Sequence, residues 1–126
     1  MDLTPLVPQG RQIIESYGDG RFRVTGAVHQ GSVLVYPDKT VPWPVGESTA
    51  LTEESLAGIA AAGDAGTIDL LLIGCGPRMT MIPKALRAAL RSHGVVIEPM
   101  DTGAAARTYN VLAAEGRKVA AALIAV

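Results

Sequence analysis

Two glycine-containing loops hold the residues whose types and spacing could do chemistry. The first loop, Gly74-Cys75-Gly76-Pro77-Arg78, follows a short apolar run, and the second, Pro99-Met100-Asp101-Thr102-Gly103, follows another. Glycines allow close approach to the backbone and expose amide donors, which suits a loop that holds an anion. Glycines also serve tight turns. We therefore weigh a structural turn against a ligand loop in each case.

The position of these loops decides what they could form. Loops that follow neighbouring parallel strands meet at one edge of a sheet, where open α/β sheets bind their ligands. Alternatively, Asp101 or Thr102 only caps the next helix by accepting a hydrogen bond from its first amides. Asn110, unfavourable inside a helix, either ties that helix to a loop or lines the pocket. The candidate pocket residues are Gly74, Cys75, Gly76, Arg78, Asp101, Thr102, Gly103, Arg107 and Asn110.

No residue constellation in the chain identifies an enzyme. Cys75 could be a reactive thiol, but His29 and His93 are distant from it in sequence, so no Cys/His nucleophile is expected. One cysteine and two isolated histidines also lack metal-ligand spacing. The loops lack the dinucleotide and phosphate-loop signatures. We expect no catalytic residue, no metal and no cofactor.

A second candidate surface lies on a predicted helix. Lys84, Arg87 and Arg91 are spaced three and four residues apart, which places three positive charges on one helical face. Such a face is usually solvated. It could also contact an acidic protein partner, so these residues are a candidate partner surface.

Composition excludes several classes of protein. The 126 residues are 48% hydrophobic and 18% charged, which predicts one self-sufficient domain over residues 1–126. Aromatic residues make up only 4% of the chain and its net charge is -1, so nucleic acid is not an expected partner. No stretch is apolar enough to span a membrane or to direct export. A single cysteine is typical of a reducing compartment.

The pattern of hydrophobic residues predicts the order of elements. Residues 1–10 are predicted to be an extended arm, and residues 12–36 an antiparallel meander with strands near 13–14, 22–24 and 33–35. The proline-rich stretch 37–46 is predicted to be an ordered loop plugged by Trp43. Helices and strands then alternate to the end of the chain. The apolar run at 68–73 is predicted to lie near the centre of a helix-covered sheet.

Several segments resemble a small domain family of largely unknown function. The resemblance is most specific from Glu98 to Asn110, with its Met-Asp-Thr and Thr-Tyr-Asn elements, and extends to Glu115-Gly116-Arg117 and the apolar run 119–124. Gly31 to Val35, Trp43 and Leu71 to Gly76 also follow the family's pattern. The family includes mitochondrial respiratory complex I assembly factor 3. The resemblance therefore covers nearly the whole chain.

The resemblance implies an α/β fold with three layers, in which helices cover a mixed central sheet and the N-terminal half adds a smaller β layer. It implies that mitochondrial relatives help to assemble the respiratory NADH dehydrogenase without catalysis, whereas bacterial members have no established activity. Many members have a cysteine where this chain has Ala106, which removes a redox role from that position. The chain also lacks the targeting extension of mitochondrial relatives, which suggests a bacterial cytoplasmic protein.

Two functional hypotheses follow. The preferred one is an accessory domain that binds a protein, by resemblance a respiratory complex subunit or assembly factor, and that reaches the inner membrane only through that partner. The alternative is a small-molecule or anion binder, or an enzyme of unknown reaction, that uses the loops at Gly74–Arg78 and Met100–Gly103. A closed edge between these loops would count against the alternative. The sequence leaves the oligomeric state open.

Overall fold

A five-stranded mixed sheet forms the centre of the fold in the computed structural model, which describes residues 10–126. The predicted arm, residues 1–10, therefore lies almost entirely outside the described residues. Its strands are β4 (Val33–Val35), β5 (Thr40–Pro42), β6 (Leu70–Gly74), β7 (Val96–Met100) and β8 (Val119–Leu123). Their order along the sheet is β5-β4-β8-β6-β7. Strand β4 is antiparallel to its two neighbours, and β6 is parallel to its two neighbours.

Three α-helices cover the two faces of this sheet. They are α1 (Ala57–Asp64), α2 (Lys84–Arg91) and α3 (Thr102–Ala114). Ile59 of α1 and Leu86 and Leu90 of α2 are buried in one core cluster, while α3 contributes Ala105 and Tyr109 to the other. The strands between them are apolar on both faces, as expected for parallel strands covered on two sides.

A smaller three-stranded sheet, in the order β1-β2-β3, lies on the α3 side. Its strands are β1 (Ile14–Gly18), β2 (Arg21–Val24) and β3 (Ala27–Gln30). Phe22 and Val24 of β2 alternate with exposed residues and are buried in the same cluster as Tyr109. The fold therefore has three layers. Helices α1 and α2 form the first, the large sheet forms the second, and α3 together with the small sheet forms the third. This arrangement confirms the predicted three-layer α/β class.

Asn110 joins the small sheet to α3. Its side-chain oxygen accepts a hydrogen bond from the Ile14 amide at 3.0 Å, and its side-chain nitrogen donates to the Ile14 carbonyl at 2.8 Å. The Asn110 side chain is buried, so both bonds are protected from water. The buried amide therefore satisfies both backbone groups of one residue in β1, so it ties α3 to a strand instead of the predicted loop.

Helix boundaries follow local signals in the sequence. Pro83 precedes α2, where its missing amide costs nothing. Thr52 accepts a hydrogen bond from the Ser55 amide at 3.0 Å, just before the short 3-10 turn Glu54–Leu56 that leads into α1.

The indole of Trp43 is buried and donates to the Ser55 carbonyl at 2.8 Å. The side chain therefore packs into the core beneath its segment, as predicted.

The N-terminal half differs from the prediction in two respects. Its third strand is Ala27–Gln30, mostly exposed and without an apolar pattern, whereas Val33–Val35 belongs to the large sheet. Residues 37–46 contain β5, which tolerates Pro42 because it is an edge strand. Both differences depend on strand pairing, which local patterns do not specify. The apolar run at 68–73 contributes β6, which lies beside the central strand β8 and so near the centre of the sheet, as predicted.

Replacing Asn110 with Ala should destabilise the protein by about 2–6 kcal/mol, because each of two buried backbone groups would lose its partner at about 1–3 kcal/mol apiece. The exposed neighbour Val111 provides the control, since Val111→Ala should change stability by no more than about 0.5 kcal/mol. The urea midpoints of unfolding measure the change in stability of both variants. Equal midpoints for the two variants would contradict a structural role for the amide.

Stability should fall as the pH rises above the ordinary tyrosine pKa of 10.0. Burial raises the pKa of Tyr109 well above that value, because the neutral phenol is favoured in the core. Burial also raises the pKa of Tyr36. A raised folded-state pKa leaves the stability intact below pH 10.0 and removes it as the unfolded chain begins to ionise. Urea titrations across this range should show a shallower decline for Tyr109→Phe than for the unaltered protein.

Candidate functional site

The two glycine-containing loops meet at the carboxyl edge of the large sheet. Strands β6 and β7 are parallel neighbours, as the pocket hypothesis requires. The Cys75 amide donates to the Met100 carbonyl at 2.8 Å, and the Thr102 amide donates to the Gly76 carbonyl at 2.8 Å. The loops therefore bond to each other through their backbones.

Thr102 occupies the junction between these loops and the end of β8. Its side chain is fully buried, accepts a hydrogen bond from the Gly76 amide at 2.9 Å and donates one to the Ile124 carbonyl at 2.8 Å. Gly74 is required beneath it, because a Cβ at that position would lie 2.9 Å from the Thr102 Cα. The Gly76 amide and the Thr102 hydroxyl thus already have partners within the protein.

Asp101 caps α3. Its Oδ1 atom accepts a hydrogen bond from the Ala104 amide at 2.8 Å, and its own backbone is extended, as an N-cap residue requires. The cap role proposed for Asp101 or Thr102 is therefore confirmed for Asp101. Thr102 is the first residue of the helix, so α3 begins directly after its capping residue.

The other predicted pocket residues are distributed over several surroundings. Arg107 donates to the Tyr17 hydroxyl at 3.0 Å, beside Gly103, where a Cβ would lie 2.6 Å from the same hydroxyl. Asn110 bonds to β1 instead of the loops. Arg78 is exposed at the edge. The structure brings Gly74, Cys75, Gly76, Asp101 and Thr102 together, and their role in ligand binding stays a prediction.

Cys75 is a buried free thiol. Its sulfur lies 3.7 Å from the Ile73 carbonyl oxygen. His93 contacts Asp64 at 2.8 Å, and His29 lies on β3 opposite Phe22. Within residues 10–126, no three His, Cys, Asp or Glu side chains lie close enough to hold a metal ion. Cys75 therefore has the surroundings of a packed core residue.

The three basic residues of α2 differ in their contacts. Lys84 and Arg91 are exposed, but Arg87 is half-buried and donates to the Ile97 carbonyl at 3.0 Å. Ile97 lies on β7, the edge strand of the large sheet. Arg87 therefore covers one carbonyl of that edge, which leaves Lys84 and Arg91 as the freely accessible charges of the predicted partner surface.

Two exposed methionines lie just before these charges in the chain. Their exposure is not evident from the sequence. Met79 is 54% exposed and Met81 is 83% exposed in the segment that joins β6 to α2. Their neighbour Ile82 is buried, so the segment is held on the core by one apolar residue and presents two others to solvent. Met81 and Ile82 are both hydrophobic, and only the tertiary structure distinguishes them.

Replacing Thr102 with Val should cost about 1–3 kcal/mol, because the isosteric side chain leaves the Gly76 amide and the Ile124 carbonyl without their partner. Thr102→Ser keeps the hydroxyl and should recover most of this loss. Urea midpoints give the comparison. If Val and Ser are equally tolerated, the hydroxyl does not hold the loops together.

Solved structures of similar proteins share the whole fold. A crystal structure described as that of an outer membrane protein from Bartonella henselae superposes with a TM-score of 0.85 at 37% identity, covering 96% of this chain and 99% of that one. The solution structure of a Mth938-like domain from Bordetella pertussis gives a TM-score of 0.82 at 28% identity, covering 98% and 92%. Among the described residues of this chain, no helix has the length and hydrophobicity needed to cross a membrane.

Curated relatives align over most of the chain. An uncharacterized protein of Rhodobacter capsulatus is 45% identical over 88% of this chain and 82% of its own length. The human NADH dehydrogenase [ubiquinone] 1 alpha subcomplex assembly factor 3 is 32% identical over the same share, which corresponds to only 59% of the human protein. The model of one family matches residues 14–124. The chain therefore belongs to the family described as "Protein of unknown function (DUF498/DUF598)".

Proposed function

We propose that this chain is a non-catalytic accessory domain that binds a protein partner during assembly of a respiratory NADH dehydrogenase. The observation that carries the proposal is its similarity to assembly factor 3, at 32% identity across 88% of the chain. A shared domain of this extent supports a shared mode of partner binding, although it spans only 59% of the human factor. The partner in this proposal is a subunit or assembly factor of the complex.

The proposed docking surface consists of Met79, Met81, Lys84 and Arg91. The methionines supply flexible apolar contact area of the kind that adapts to partner surfaces. Lys84 and Arg91 supply positive charge beside them, which favours a partner with acidic residues around an apolar patch. Arg87 supports this surface from within through its bond to β7 and is not proposed as a direct contact.

The proposal includes a place of action. The domain works from the cytoplasm and reaches the inner membrane through its partner, as expected of a factor that helps to assemble a membrane-bound complex. Electrostatic attraction between the basic surface and an acidic partner would speed their association at low salt. No step of catalysis is required for this role.

Removing the protein from its native cell should lower the amount of assembled NADH dehydrogenase, measured by native gel electrophoresis and by NADH oxidation in isolated membranes. Wild-type protein supplied in trans should restore both. The variant Met81→Glu with Lys84→Glu and Arg91→Glu should restore assembly poorly, because it replaces the apolar contact and both accessible positive charges with negative charge. Its urea midpoint should stay close to that of wild type, since all three side chains are exposed.

The matched control reverses the charge of two basic residues elsewhere on the surface. Arg117 and Lys118 are exposed in the turn between α3 and β8, away from α2 in the sequence. Arg117→Glu with Lys118→Glu should restore assembly fully if the docking surface lies on α2. Equal rescue by both variants would place the interface elsewhere, and unchanged assembly in the deletion strain would refute the assembly role.

A further inference from the structure

A cleft opens between the β4–β5 turn and helix α1. One wall is the turn at residues 36–39, which a hydrogen bond from the Tyr36 amide to the Lys39 carbonyl closes at 2.7 Å. The other wall is formed by Gly58, Ala61 and Ala62 of α1, with Thr67 beyond the helix. The cleft has a volume of about 590 Å³, within the range of about 300–1,000 Å³ that is typical of small-molecule sites.

Tyr36 provides a polar group inside this cleft. The residue is only 6% exposed, yet within residues 10–126 its hydroxyl has no hydrogen-bond partner. Among the described residues, the buried side-chain oxygen without a partner is Thr80 Oγ1, so the Tyr36 hydroxyl is reached by solvent from the cleft. Because burial raises the pKa of Tyr36, the phenol stays protonated and remains a donor. The cleft therefore holds an unused hydrogen-bond donor.

Gly58 fixes where this donor lies. A Cβ at Gly58 would collide with the Tyr36 hydroxyl oxygen, so no larger residue fits while the phenol keeps its position. Glycine inside a helix is less favourable than alanine by about 1 kcal/mol. The glycine thus leaves room for the phenol to lie against the helix.

Lys39 provides a second donor at the rim. Its ammonium nitrogen lies 5.1 Å from the centre of the Tyr36 ring, close to the same side chain. No ion pair with Lys39 is formed within the described part of the chain. Asp38 is exposed beside Lys39 on the same wall. The rim therefore carries one cation that is free to meet an anion, next to a carboxylate that would repel a second negative charge.

We propose that this cleft binds a small molecule with an apolar body and a single carboxylate, which accepts hydrogen bonds from the Tyr36 hydroxyl and the Lys39 ammonium. The apolar body lies against Pro37, Ala61 and Ala62, whose side chains offer no polar partner. Asp38 selects against polyanions such as phosphate esters. This site is distinct from the proposed docking surface on α2, so either can fail while the other stands.

The probe for this site is hexanoate, titrated into the complete protein and followed through backbone amide chemical shifts. Saturable shifts are expected at residues 36–39 and 58–67, which form the two walls. Hexanol, which has the same apolar chain without the charge, should bind about tenfold more weakly because it has no negative charge to pair with the Lys39 ammonium. Inorganic phosphate should produce no saturable shifts at these residues.

Three variants separate ligand binding from structure. Tyr36→Phe should weaken hexanoate binding about five- to tenfold while leaving the urea midpoint unchanged, since no protein hydrogen bond is lost. Lys39→Gln should weaken binding by a similar factor. The matched control is Lys118→Gln, which removes an exposed lysine outside the cleft and outside the proposed docking surface and should leave the affinity unchanged.

Five outcomes would overturn the proposal. Three concern the probe: the absence of saturable shifts with hexanoate, shifts outside the two walls, and equal affinities for hexanoate and hexanol. The others are full affinity in both Tyr36→Phe and Lys39→Gln, and saturable binding of phosphate at the walls. Local shifts that depend on both donors would support the proposal.

Discussion

The buried hydroxyl of Thr102 is the constraint on which the arrangement of the core depends. It joins three elements, because it begins α3, accepts from the amide that follows β6 and donates to the carbonyl that follows β8. Such a group is costly when it loses a partner in a core of low polarity. Its bonds therefore fix α3 against the central strands. That placement brings Asn110, further along the same helix, to the backbone of Ile14, so the small sheet is held by the same helix.

This use of Thr102 affects where function can be found. Open α/β sheets commonly bind ligands at the carboxyl ends of their strands, but here the Gly76 amide and the Asp101 carboxylate already bond within the protein. Groups without such partners lie on the side covered by α1 and α2, and among them are the exposed Met81 and Lys84 and the hydroxyl of Tyr36. The two proposals of function therefore both concern that face of the molecule.

Local signals account for what the sequence predicts well. The elements from β6 onward are bounded by glycines and by Pro83, and their apolar spacing matches one type of structure at a time, so their order and the cap at Asp101 are predictable. Strand pairing is not local. Ala27–Gln30 is mostly exposed and gives no apolar pattern, so its place in the small sheet comes only from its partner β2. The cleft beside Tyr36 is equally hidden, because Gly58 looks like an ordinary helical glycine until its neighbour across the fold is known.

The cleft and the α2 surface are connected by a close contact between helix α1 and the end of α2. Gly63 of α1 lies so close to the end of α2 that a Cβ there would collide with the His93 carbonyl oxygen, and Asp64 contacts the His93 ring at 2.8 Å. A ligand shifts a protein only between arrangements that it binds with different affinity. The structure shows one arrangement of the two helices, packed over a shared core that includes Ile59 and Leu86. Lys39→Gln should therefore leave the assembly measured by native gel electrophoresis unchanged, whereas Lys84→Glu should lower it, because the two residues lie at separate sites.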